Sequence, residues 1–221
     1  MSDLTSYLNG NIRRKTMKVL IVYCHPSNNS FTYRLKEEFI RGLVAAGHQY
    51  EVSDLYRMNF NETLSENEYL REGFYDDRLT IPEDVLAEQK KINEADMITF
   101  IYPVFWTEAP AKLVGWIQRI FTFGFAYGDA PTMKQLDKAL FLVCMGGNLN
   151  DTVRQEQVKA METVMLGDRI SNRAKEKEMI VFDQMTREYG NEGNHEEGKK
   201  GKREENIITF LKKTYEIGYG L

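Results

Sequence analysis

The sequence predicts an open α/β sheet of parallel strands, doubly wound, with helices on both faces. Short and nearly unbroken apolar runs, such as 18–23 and 138–144, lack the alternation of a half-solvated strand and read as strands buried on both sides. Between such runs the apolar residues recur at helical spacing, so strand and helix alternate along the chain. With 221 residues, the chain can fill one core well.

In order, residues 1–16 are polar and are set apart as an N-terminal tail, leaving 17–221 as a single domain. The first strand is Lys18 to Tyr23, ending at His25-Pro26. Phe31, Leu35, Phe39, Leu43 and Val44 share a helical face, and Gly47 stops that helix where a left-handed cap costs least. Tyr50 to Asp54 is a second strand. From Leu55 to Pro82 the chain is charged and irregular, too long for an idle connection. Val85, Leu86, Gln89, Ile92 and Ala95 give the next helix, and Met97 to Ile101 the third strand. After an aromatic loop, Pro110 opens a helix whose buried stripe is Leu113, Trp116, Ile117, Ile120 and Phe121, with Gly115 permitting close approach.

Phe125 to Leu136 is a loop before the fourth strand, Lys138 to Cys144, which stops at Met145-Gly146-Gly147. The turn Asn148 to Asp151 leads to a helix containing Val153, Val158, Met161, Val164 and Met165. Met179 to Phe182 is the fifth strand. Arg187 to Asn206, rich in Gly, Glu, Lys and Asn without apolar periodicity, reads as a mobile insert. Ile207, Leu211 and Tyr215 close the chain with an amphipathic helix. Right-handed crossovers then favour five parallel strands in the flavodoxin-like order 2-1-3-4-5.

Composition excludes several classes. A formal charge of −4 with scattered Lys and Arg leaves no footprint for nucleic acid. No apolar run approaches the roughly 20 residues of an integral membrane segment, and the N-terminus lacks the apolar centre of a secretory signal, so a cytoplasmic location is expected. Cys24 and Cys144 end apolar runs and read as buried thiols. Strand 3 would hold their strands about 9–10 Å apart, beyond the ~7 Å reach of a disulfide. His25, His48 and His195 stand apart from any zinc-like spacing, and no Gly-x-Ser-x-Gly elbow occurs. With no strong protein nucleophile, the hard chemistry falls to a cofactor.

Three loops of unusual composition converge at the carboxyl ends of strands 1, 3 and 4, where such sheets hold ligands. His25 to Thr32 delivers hydroxyls and amides to a helix N-terminus, suited either to phosphate or to simple capping by Ser30 or Asn29. Tyr102 to Trp106 sets aromatic rings beside backbone N–H groups, for a ligand or for packing. Gly146-Gly147 removes side chains where something flat could approach, or makes a turn. A planar ring held by two loops and a phosphate held by the third accounts for all three together as a flavin site.

The chain also resembles the NAD(P)H:quinone oxidoreductase family, flavoproteins of flavodoxin-like fold that include DT-diaphorase-like and bacterial quinone reductases. The matching segments are His25 with Ser30-Phe31, Asp54 to Asn61, Glu88 to Lys91, Ala95-Asp96, Tyr102-Pro103 with Trp106, Pro110-Ala111, Gly115-Trp116, Arg119, Phe121, Phe125 to Tyr127, and Gly146-Gly147. The resemblance implies tightly bound FMN or FAD, with His25, Ser30, Phe31 and Thr32 around its phosphate and ribityl chain. It implies Pro103, Val104, Phe105 and Trp106 along the isoalloxazine, and Gly146 and Gly147 at the pyrimidine edge. Tyr127 would border a nicotinamide and quinone pocket completed by the second subunit of a homodimer, with Trp106 as the other pocket candidate.

By the same resemblance, hydride passes from NAD(P)H through flavin N5 to a quinone-like acceptor in ping-pong fashion. The alternatives are a flavin-binding ancillary subunit of a membrane transport system and a flavodoxin-type electron carrier. Animal-type members carry a tyrosine and a histidine after the paired glycines; those positions fall on Thr152 and Val158 here. Phe105 and Thr107 also depart from the family's common glutamine and aromatic residue.

Overall fold

A computed structural model describes residues 15–185 and 197–221, except the side chains of 197–202. The expectations for residues 1–14 and 186–196 lie outside the described residues. Strands β1 (Lys18–Tyr23), β2 (Gln49–Asp54), β3 (Met97–Pro103), β4 (Leu136–Cys144) and β5 (Ala174–Phe182) form one parallel sheet. Their order is β2-β1-β3-β4-β5, as expected.

Every residue of the central β3 is buried, which is why its sequence shows no alternation. The register sets Val19 beside Met97 and Phe100 beside Phe141, and the latter rings stack with centroids 4.7 Å apart. At the β5 edge the strand starts at Ala174, ahead of the apolar run, and Lys175 to Glu178 point their charges to solvent. Charged residues on an edge strand discourage pairing with other chains.

Two apolar layers flank the sheet. Leu20, Val22, Phe100, Phe141 and Val143 face Ile92 of α3 (Glu83–Glu94) and Leu113 and Trp116 of α4 (Ala111–Ile120). Val19, Ile21, Tyr23, Ile101 and Leu142 pack instead with Leu35 and Phe39 of α1 (Phe31–Ala45). Within the first layer Glu88 is wholly buried, accepting hydrogen bonds from Trp116 Nε1 at 2.9 Å and from Lys91. Gly115 has the expected close neighbour: a β-carbon there would overlap the carbonyl oxygen of Glu62.

Three elements differ from the sequence reading. The stretch read as irregular contains α2 (Glu66–Gly73), opened by a reciprocal capping box between Ser65 and Glu68. The helix read through Met165 is α-helical only as α5 (Thr152–Glu162), where Val153 is 57% exposed. Burial begins at Met161 and continues to Met165 and Ile170 in a π-helical segment, Thr163–Ile170. Its i→i+5 winding brings residues five apart onto one side. Finally, α6 (Glu197–Tyr219) begins inside the stretch read as an insert, ten positions before Ile207. It lies so close to α1 that a β-carbon on Gly218 would stand 2.5 Å from the carbonyl oxygen of Phe39. Both cysteines are free and buried.

Candidate flavin site

At the carboxyl ends of β1, β3 and β4 lies a cleft of about 300 Å³. His25, Ser30, Phe31 and Thr32 line it from the first loop, Pro103, Val104 and Phe105 from the second, and Gly146 from the third, beside Cys144 and Met145. Eight of the residues singled out in the sequence therefore meet around one space. Trp106 and Gly147 adjoin that lining without belonging to it.

The first loop is wound by its own side chains. His25 Nδ1 accepts the Ser27 N–H at 2.9 Å, which leaves a neutral imidazole with its proton on Nε2. Ser27 Oγ accepts from Asn29 N–H at 3.2 Å, and Ser30 Oγ caps α1 by accepting from Tyr33 N–H at 3.0 Å. Capping by Ser30, left open in the sequence, is thus realised. It leaves the N–H groups of Phe31 and Thr32 at the helix mouth, and no acidic residue occupies that first turn. Such a terminus favours an anion.

The second loop is a two-residue hairpin. Phe105 and Glu108 exchange backbone hydrogen bonds of 2.8 and 3.0 Å, and Trp106 and Thr107 both take left-handed φ, 51° and 66°. Two non-glycine residues in that conformation cost about 1 kcal/mol or more each. In return their N–H groups, without partners among the described residues, are presented at the tip. The Trp106 ring is 100% exposed and Phe105 about half exposed. Arg169, on the π-helical segment, braces the hairpin by donating to Glu108 Oε1 at 3.3 Å.

The third loop is tied to the end of β5: Gln184 N–H donates to Gly147 O at 2.9 Å and Met185 N–H to Met145 O at 3.1 Å. The N–H groups of Gly146 and Gly147 have no partner among the described residues. Beneath the floor, Thr32 Oγ1 donates to Cys144 Sγ at 3.3 Å, and burial pushes that thiol up to about 12, so it stays protonated.

Tyr127 stands apart from the cleft lining. Its hydroxyl donates to Glu72 Oε2 at 2.6 Å; burial, then this carboxylate, raises its pKa. Glu72 also accepts the Phe123 N–H at 2.8 Å and an Arg71 hydrogen bond at 2.9 Å. The loop bearing Tyr127 is thereby locked onto α2.

Sequence reasoning missed Arg203. It reaches the cleft from α6, and its Nε is buried without a hydrogen-bond partner among the described residues. A buried guanidinium nitrogen left open is expensive unless an acceptor arrives, and phosphate is an acceptor that Arg matches well. Together with the free N–H groups of three loops, Arg203 makes the donor set fit a flavin and its phosphate. Arg203 lies within the stretch read from the sequence as a mobile insert, whose composition gave no sign of a binding role.

Comparison with known proteins agrees with this architecture. Residues 17–169 match the flavodoxin-like fold family. A solved NAD(P)H:quinone oxidoreductase from Methanothermobacter marburgensis is 37% identical, with a TM-score of 0.78 over 92% of this chain and 98% of that one. The chain belongs to the flavodoxin-like fold family and, within it, to the NAD(P)H:quinone oxidoreductases. NAD(P)H dehydrogenase [quinone] 1 of Rattus norvegicus is 34% identical over 148 residues, 59% of this chain and 54% of its own. An uncharacterized NAD(P)H oxidoreductase of Haemophilus influenzae is 36% identical over 61% of this chain and 67% of its own. The chain thus spans about half the length of the first of these curated relatives.

Proposed function

We propose that the protein is a flavin-dependent NAD(P)H oxidoreductase acting on a quinone or a similar small acceptor. One observation carries this reading: among the described residues, three loops with unpaired N–H groups and the buried, unpaired Nε of the half-buried Arg203 surround a single cleft at the carboxyl edge of the sheet. The bound flavin, FMN or FAD, would supply hydride chemistry at N5, taking hydride from NAD(P)H and giving it to the acceptor in ping-pong order.

The chain's residues bind and orient. The α1 terminus, Ser27 and Arg203 would hold the phosphate, since they offer N–H, hydroxyl and guanidinium donors to the same cleft. Pro103, Val104 and Phe105 would support the ring, and the N–H groups of Trp106, Gly146 and Gly147 would meet its carbonyl edge. Trp106 leaves an entire indole in water, and beside it Phe105, Ala109, Pro110 and Val114 line an apolar groove. A second copy of the chain would cover both and complete the substrate pocket, with Tyr127 contributed across the interface. Residues 17–221 act as one domain in this reading.

A visible spectrum of the purified protein, with extraction and identification of the chromophore, tests it. A flavin bleached by NADH or NADPH and restored by a quinone is expected. A colourless protein that gains no flavin on reconstitution refutes the reading. Slow bleaching with stable one-electron reduction would favour the electron-carrier alternative, and slow turnover with a membrane partner the ancillary-subunit one.

A further inference from the structure

Arg154, in the first turn of α5, lies across Gly147. A β-carbon on Gly147 would meet Arg154 Nε at 2.6 Å and Cδ at 2.8 Å, so the second glycine of the pair makes room for this side chain. Gly146, its neighbour, lines the cleft. The guanidinium donates to the neutral Gln157 Oε1 at 2.7 Å and has no ion pair among the described residues. Asp183, the carboxylate bonded to this loop, is engaged by Leu149 N–H at 2.9 Å and by Gln184 at 3.2 Å. A partly buried cation with no carboxylate partner therefore stands behind the loop that edges the cleft.

Resting on the flavin reading above, we infer that Arg154 is a positioning residue that acts across Gly147 to favour the reduced cofactor. A flavin gains negative charge at its pyrimidine edge on reduction, and a fixed cation nearby stabilises the charged form over the neutral one. Part burial lessens screening by salt. Arg154 supplies no electrons and forms no bond; it alters only the relative affinity for the two redox states. It would serve this chain where Thr152 and Val158 offer no charge and no proton donor suited to the role.

The test compares wild type, Arg154→Met and Arg154→Lys, each reconstituted with FMN and, separately, with FAD. Affinity for the oxidised flavin is measured first, then the midpoint potential by anaerobic titration, then formation of the N5 sulfite adduct. In Arg154→Met, oxidised flavin should bind within about threefold of wild type, while the ratio of reduced to oxidised affinity falls about tenfold, about 30 mV for a two-electron couple. Sulfite addition should weaken in parallel, and Arg154→Lys should recover most of both effects. Equal potentials in three flavin-loaded proteins overturn the role of Arg154 and leave the flavin reading intact. Loss of oxidised-flavin affinity at unchanged potential reduces Arg154 to loop packing and also overturns it. A wild type that binds neither flavin defeats the underlying reading as well.

Discussion

Arg119 joins three segments that are distant in sequence. Its Nε donates to Glu68 at 2.6 Å, Nη1 to Asp84 at 2.6 Å and to Asn61 O at 2.7 Å, and its side chain is 3% exposed. Burial alone would raise the Glu68 carboxyl, but hydrogen bonds from Ser65 and the Arg119 charge outweigh it and hold it below the ordinary 4.5. Arg119→Met leaves that carboxylate buried without its cation and should cost about 3–5 kcal/mol in urea denaturation. A group with a depressed folded pKa contributes fully above its unfolded value and loses that contribution as pH falls through its folded value. The gap between wild type and Arg119→Met should therefore narrow below pH 4.5. A gap constant down to pH 3 would mean the carboxylate is not the stranded group, and adding Glu68→Gln should then restore nothing.

Elements show how far a sequence can be read. Strands β1, β3 and β4 were legible because burial on both faces writes a nearly continuous apolar run, which survives without tertiary information, whereas β2 and the charged start of β5 lie at the sheet edges and carry no such run. The α2 helix was harder: its eight residues, ENEYLREG, bury only Glu68 and Arg71 and so carry no apolar stripe. Its signal was the capping box at Ser65, and Ser65→Ala should cost about 1 kcal/mol. Hydrogen exchange would localise the effect to residues 66–73, while uniform loss of protection across the sheet would contradict it. The start of α6 lacked even such a signal, since Gly198 and Gly201 are poor helix formers and no apolar periodicity precedes Ile207. Around the cleft, eight loop residues were legible from their position after strands, but Arg203 reaches it, and Arg154 comes to lie against Gly147, through folding alone.

As a whole molecule, the chain sets a fully exposed tryptophan, on the Trp106 hairpin, beside an apolar groove at Pro110. A tryptophan buries about 150–250 Å² when covered, so a second copy docking there gains considerably. Sedimentation at micromolar protein should give twice the 25.7 kDa chain mass, and Trp106→Glu should give the monomer. A wild type that is monomeric throughout would remove the two-subunit pocket.

The packing of α6 on α1 has a consequence for biosynthesis. Gly42 and Gly218 let these helices touch, and Arg203 enters the cleft as part of α6, which follows every strand of the sheet in sequence. During translation the sheet's strands all emerge before α6, and chains fold from the N-terminus as they are made. A ribosome-bound chain would then own the loops of the cleft while still lacking its guanidinium. If a flavin binds as proposed, its full donor set is complete only once α6 has emerged and packed, after every strand of the sheet.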